Sequence, residues 1–253
     1  NFKNPGLRDI LRLLVPNVLA VAFASITPIL DTAFISYMPD SASLAATRNA
    51  SMLFSLPIAL LGQAVGQAAM PQLAALAASQ KYIRLRQTLS KVLLAVLALS
   101  VLAALILALL GRPTIHLLFQ HGAFNAHSSS LTNLALLGYA IALPGQALVS
   151  LLLTTFYAMK NALLPLCSSI VALLAHLGGL FFFLHAFSGS SQILAVPLAM
   201  ALDGVATSLL LGSLLFLNLH GKARRDKGMQ RLARRRVYVD GLNNGAKPRA
   251  DRL

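Results

Sequence analysis

Charge is scarce in this sequence. Only 11% of its 253 residues are Asp, Glu, Lys or Arg, against about 25% in a typical soluble domain. Glutamate is absent, and the acidic residues are seven aspartates. Cysteine occurs once, as Cys167, inside an apolar run. A single thiol excludes an internal disulfide, and no metal-ligand spacing surrounds it. Cys167 therefore reads as a small buried apolar side chain. There is no phosphate-binding glycine loop and no catalytic carboxylate pair, so hydrolase, transferase and nucleotide-driven mechanisms find no motif. The alternating pattern of a membrane β-barrel is also missing. No signal-peptide pattern opens the chain, which starts at Asn1.

What fills the sequence is apolar. Hydrophobic residues make up 57%, and the mean hydropathy is +0.72. Six long apolar segments cover approximately residues 10–36, 48–78, 89–110, 131–156, 162–185 and 194–219. A spanning helix needs about 20 residues, and lipid admits only helices or closed barrels. The expectation is an all-α, polytopic membrane protein: a six-transmembrane-helix bundle over 1–219, followed by a basic, largely disordered tail over 220–253.

The net charge of +14 is unevenly placed. With the N-terminus inside, nineteen Lys and Arg fall on the inner side, and only Arg48 and Arg112 fall outside. The positive-inside rule then puts both termini in the cytoplasm. Eleven of the nineteen belong to the tail. Its first part, 222–236, reads as a basic helix on anionic lipid. Nucleic acid is the weaker reading, because the run follows a span directly and has no interleaved aromatics.

The second segment organises the rest. Read at steps of three and four, Arg48, Met52, Ser55, Ala59, Gln63 and Gln67 share one face. Gly62 and Gly66 form a GxxxG pair beside it, which suits close helix packing. The arginine and glutamines fit a wet groove at least as well as a packed interface.

Other spans carry isolated polar groups. Pro16 and Pro28 interrupt the first, and Asp31 lies near its outer end. An ionisable group deep in a span costs roughly 2.5–3.5 kcal/mol and faces a cavity or a partner. Asp31 is thus either a cation or proton site or an interfacial cap. His176 beside Gly178 and Gly179, and the deeply placed Asp203, are further ion-coupling candidates and candidate partners of each other. No cofactor is called for beyond a coupling cation or proton at Asp31. Arg112-Pro113 ends the third span, leaving 114–120 as a short amphipathic element at the outer interface. His116, His121 and His127 are spaced by five and six residues, which is not a helical metal-ligand pattern. Pro144-Gly145 breaks the fourth span near its middle, as in helices that move or line a cavity.

Taken together, three stretches resemble the MviN/MurJ lipid II flippases of bacteria. They are LPIALLGQAVGQAAMPQLAALAA at 56–78, PTIHLLFQHGAF at 113–124, and Tyr139 and Pro144 paired with FYAMKNALLP at 156–165. Asp31-Thr32 in ILDTAFIS matches a fourth recurring position. The resemblance covers about residues 8–219. It implies the fold of the multidrug/oligosaccharidyl-lipid/polysaccharide exporters, with two six-helix lobes around a cationic cavity that opens alternately to each side.

The resemblance further implies export of an undecaprenyl-pyrophosphate-linked peptidoglycan precursor across the bacterial cytoplasmic (inner) membrane. This chain would be the second lobe, a fragment whose missing N-terminal lobe is its partner, together with cell-wall synthesis proteins. The candidate substrate-cavity residues are Arg48, Met52, Ser55, Gln63, Gln67 and Lys160; the candidate hinges are Pro28, Pro144 and Gly145.

The sequence departs from the family pattern at several points. Met52 stands where the family has a cavity arginine, one turn from Arg48. Thr154 replaces a basic residue, Asn161 and Leu164 replace the hinge Asp and Thr, and Gly179 replaces an Asn. A polysaccharide-lipid or drug exporter, or a non-transporting scaffold lobe, remains as the alternative.

Overall fold

The computed structural model describes residues 5–119 and 124–243, with side chains for 14–119 and 124–221. Seven α-helices account for most of it. They are α1 (Pro5–Ser36), α2 (Ser43–Pro57), α3 (Val65–Ala78), α4 (Tyr82–Phe119), α5 (Ala126–Ala158), α6 (Leu163–Ala186) and α7 (Ala195–Asn243). A π-helical stretch, Ile58–Ala64, joins α2 to α3, and a 3-10 turn, Gly189–Leu194, leads into α7. Among the described residues no strand occurs, and six helical stretches are long and apolar enough to cross a membrane.

The six expected segments are all present, with shifted ends. The second begins at Ser43, five residues early, and carries the unexpected π-helical turn directly after Pro57. Proline removes one backbone donor, and a wider turn is one way a helix absorbs that loss. Pro113 does not stop the third span. The helix runs on to Phe119, and the expected separate element at 114–120 is its last turn as far as described. Packing accounts for this: Gly111 sits against Leu136, and Ile115 is fully buried. Likewise α5 passes unbroken through Pro144-Gly145.

The last helix also continues past residue 220 to Asn243, through the basic 222–236 run that was read as helix and seven residues beyond it. Its Lys, Arg, Gln, Ala and Leu are good helix formers. Residues 244–253, and the tail side chains from 222, lie outside what is described, as do Lys3, His121 and the side chains of Arg8 and Arg12.

The hub is α5, which packs on α2, α3, α4 and α7. In its most apolar window 56% of residues are buried, against 11% for α4 on the periphery. The α4 surface is lined by exposed leucines such as Leu94, Leu102, Leu105 and Leu109, which suits hydrocarbon. Two clusters fill the interior. One joins α2, α4 and α5 around Phe54, Leu136, Tyr139 and Leu143. The other joins α3, α4, α5 and α7 around Leu73, Leu85, Phe156 and Leu215. Near the second cluster, Arg86 lies over the Phe216 ring at 5.5 Å and beside His220 at 3.5 Å, tying α4 to α7.

The N-terminal helix α1 packs mainly on α6. The turns are short. Asn125 accepts from the backbone N–H of Ser128 at 2.9 Å and starts α5. Cys167 is exposed on α6, not buried as expected. The outward face of a membrane helix is as apolar as its inward one, so sequence cannot rank the two for a small side chain.

Candidate functional site

Two features stand out, one inside the lobe and one on its surface. Inside, α1, α5, α6 and α7 enclose a cavity of about 360 Å³. Its walls are largely apolar, including Ala20, Ala24, Ala172 and Leu173. At one end three ionisable side chains meet. His176 Nδ1 lies 2.7 Å from Asp203 Oδ2, and its Nε2 lies 2.8 Å from Asp31 Oδ1. Gln146 completes the group: its side-chain amide donates to Asp203 Oδ1 at 2.6 Å and to the Met200 carbonyl at 3.1 Å. The imidazole is 1% exposed, Asp203 11% and Asp31 20%.

Hydrogen counting constrains this triad. A neutral imidazole has one N–H, and an ionised carboxylate only accepts. With a carboxylate at each ring nitrogen, two protons must bridge the three groups. Either the ring is an imidazolium, or one carboxyl carries the second proton.

The chain places these groups by simple means. Asp31 follows Pro28 by one turn on α1, and Pro28 also lines the cavity. The crossing of α5 and α7 is very close, because Gly145 faces Gly204; a Cβ on Gly145 would lie 3.0 Å from the Gly204 carbonyl carbon. That closeness brings Gln146 onto Asp203. Gly179 lets α6 approach Ala199 of α7 in the same way, whereas Gly178 has nothing within 4 Å. Thr207, one turn beyond Asp203, lines the cavity too. Its hydroxyl is the one buried side-chain polar atom without a hydrogen-bond partner among the described residues.

The second feature is the face of α2, the π turn and α3. Arg48, Met52, Ser55, Ala59, Gln63 and Gln67 are all exposed. The opposite face, with Ala46, Ala50, Leu53, Phe54, Gly62, Gly66 and Leu73, is buried. Gly62 and Gly66 are packing glycines: added Cβ atoms would lie 3.0 Å from Ser150 and from Thr154. The polar stripe thus lies on the outside of this lobe, not in a groove within it. Ser55 donates to the Met52 carbonyl at 2.7 Å, leaving Arg48, Gln63 and Gln67 as its free polar groups among the described residues.

Lys160 is not part of that stripe. It occupies the turn between α5 and α6, exposed, with a left-handed φ of 55°. At the opposite end of the lobe His127 Nε2 meets Asp40 Oδ2 at 2.6 Å. The imidazole, helped by the Ala42 backbone N–H, holds the Asp40 carboxyl below its usual pKa. Among the described residues no group of three potential metal ligands was found.

The family model described as lipid II flippase MurJ matches residues 1–224. The chain belongs to the MurJ lipid II flippase family. A lipid II flippase MurJ of Burkholderia cenocepacia is 31% identical over 166 residues, 64% of this chain and 31% of that protein. A probable lipid II flippase MurJ of Bdellovibrio bacteriovorus is 26% identical over 172 residues, 68% and 33% respectively. The chain therefore spans about a third of the length of the curated MurJ relatives it matches.

Among solved structures, lipid II flippase MurJ in an inward closed conformation superposes with a TM-score of 0.68 at 22% identity, covering 79% of this chain and 41% of that one. The Vibrio cholerae MATE transporter VcmN in its bent form gives 0.76 at 16% identity, covering 87% and 49%. At such identities the likeness carries the fold. With six spanning helices and MurJ membership, this is a multi-pass membrane protein.

Of the residues singled out from sequence, the structure unites Asp31, His176 and Asp203 and aligns the stripe on span two. It separates Lys160 from both. Sequence reasoning missed Gln146 and Thr207 as members of the internal site. Thr207 was visible as a polar residue four positions after Asp203, one turn along the same helix.

Proposed function

We propose that this chain is one lobe of a flippase. It works with a second lobe to carry an undecaprenyl-pyrophosphate-linked peptidoglycan precursor across the bacterial cytoplasmic membrane by alternating access. Both termini lie in the cytoplasm, where nearly all its cations fall. Transport rather than bond-breaking is its role.

One observation carries this reading: the polar face of span two looks outward from the lobe. An arginine and two glutamines on the outside of a membrane bundle need water or polar partners. A facing lobe supplies the wall that keeps that water in. Arg48 then meets the pyrophosphate with paired donors, which a guanidinium provides better than an ammonium. Gln63 and Gln67 line the path further along. Asp31, with His176 and Asp203, lies inside the lobe, off the cargo route, and is the ion-coupling site.

The test is Arg48→Ala in the full-length protein, introduced into cells depleted of their own flippase. Loss of rescue at normal expression is expected. Normal growth removes Arg48 from the cavity. Met52 and Thr154, standing where the family pattern has basic residues, favour a second reading as exporter of a different lipid-linked glycan or drug. That reading gives glycan or drug phenotypes without a wall defect. A scaffold lobe tolerates Arg48→Ala, Gln63→Ala, Gln67→Ala and Asp31→Ala alike.

A further inference from the structure

The internal triad sits at a boundary between two layers. One turn along each helix in one direction lie Ile35, Leu180 and Ala199, from Asp31, His176 and Asp203 respectively. All three are buried and belong to one apolar cluster. Phe34 and Phe181 meet edge to face beside them, with ring centroids 5.6 Å apart. One turn in the other direction lie Thr27, Ala172 and Thr207, all lining the cavity. The triad is thus sealed on one side and open to a cavity on the other.

We propose that Asp31, His176 and Asp203 form a proton-binding site with a built-in cation, entered only from the cavity side. The imidazolium of His176 holds the place between the two carboxylates, and Asp31 takes up the transported proton. This rests on the transport reading and specifies its coupling ion.

The geometry favours a proton over a metal ion. A small cation bound by two carboxylates takes the position between them, with several oxygen ligands around it. Here that position is filled by a ring whose two nitrogens bond both carboxylates. Asp203 is committed on both oxygens, to His176 and Gln146. Asp31 has the ring as its one described partner and is the more exposed of the two. It is the open acceptor.

The unpartnered Thr207 hydroxyl, buried against the cavity, calls for a water partner. Water there gives the proton a route. Of the other titratable groups, Tyr157 lines the cavity at its far end, while Tyr139 on α5 packs against Phe54 and does not line it. From α2, α3 and α4 none lines the cavity. The step balances simply. A cavity hydronium gives a proton to Asp31: one O–H bond breaks on the hydronium, leaving water, one forms on the carboxylate, and the triad passes from a net charge of −1 to neutral. No electrons move.

The experiment uses the full chain in vesicles of phosphatidylethanolamine and phosphatidylglycerol. Infrared difference spectra between the native chain and Asp31→Asn are recorded on acidification, with sodium or choline as the only salt. The expected result is a protonated-carboxyl band, lost in Asp31→Asn, retained in Asp40→Asn, and the same in both salts. It appears when the pH is dropped on one face of the vesicle only. Nitrogen NMR of the histidine-labelled native chain, with His176→Gln to assign the signal, is expected to show both ring nitrogens of His176 protonated at neutral pH.

A band suppressed by sodium overturns the proposal in favour of a metal-ion site. A neutral His176 ring removes the built-in cation. Equal response from both faces removes the one-sided access. Each readout is independent of cargo. A chain that fails to rescue flippase-depleted cells yet shows the band loses the transport reading and keeps the proton site. One that rescues without the band does the reverse.

Discussion

Lys160 shows how a single residue can stand at odds with its backbone. Its φ of 55° lies in the left-handed region that glycine adopts freely, at the C-terminus of α5. The bonds from Lys160 N–H to the Tyr157 carbonyl and from Asn161 N–H to the Phe156 carbonyl are those that glycine completes at many helix ends. Gln80 repeats the arrangement after α3 with the same φ, bonding Ala77 while Lys81 bonds Leu76. A side chain there costs roughly 1–2 kcal/mol. Lys160→Gly and Gln80→Gly are each expected to stabilise the lobe by about 1 kcal/mol, less the entropy glycine loses on folding. Thermal unfolding in detergent measures it. If the Lys160 charge serves cargo, Lys160→Gly alone also weakens rescue, while Gln80→Gly does not. A lowered unfolding temperature for Lys160→Gly means that the lysine side chain makes stabilising contacts in the membrane.

At the scale of helices, glycines decide which elements approach closely. Gly145 and Gly204 face each other where α5 crosses α7, and an added Cβ meets backbone there rather than a movable side chain. Gly145→Ala is expected to destabilise by about 1–3 kcal/mol, as overpacking does, and to displace Gln146 from Asp203. Gly178→Ala adds a methyl where nothing lies within 4 Å, and it removes a helix-interior glycine worth about 1 kcal/mol. It is expected to stabilise. Unfolding of the two variants in one detergent checks the pair, and equal effects sink the packing account.

This contrast marks how far sequence could be read. The six spans were legible because hydropathy depends on composition alone. Asp31, His176 and Asp203 were each legible as polar groups in apolar runs. Their meeting was not, since 145 residues separate Asp31 from His176 and no local pattern reports such a contact. Pro113 misled for the opposite reason. It carries a local breaking signal that packing around Ile115 overrides. The GG pair at 178–179 reads as uniformly close, yet only Gly179 touches α7.

For the whole molecule, the question is what surrounds each exposed face. Two of these faces differ sharply in chemistry. The outer side of α4 presents Leu94, Leu102, Leu105 and Leu109. The outer side of span two presents Arg48, Gln63 and Gln67. Hydrocarbon is a good neighbour for the first and a costly one for the second. The curated relatives extend well beyond the stretch this chain matches, which leaves them length for a partner opposite the corresponding face.

The single cysteine makes the contrast measurable. In a Cys167→Ser background, Gln63→Cys and Leu102→Cys place one thiol on each face at the middle of a span. A membrane-impermeant maleimide, which needs thiolate and water, is expected to label Gln63→Cys in intact membranes and to leave Leu102→Cys unmodified. Added lipid-linked pyrophosphate should slow the first reaction by occupying the cavity. If both thiols resist equally while both label in denaturant, the stripe on span two lies in lipid. The cargo then has no wet route along this lobe, whatever proton its triad binds.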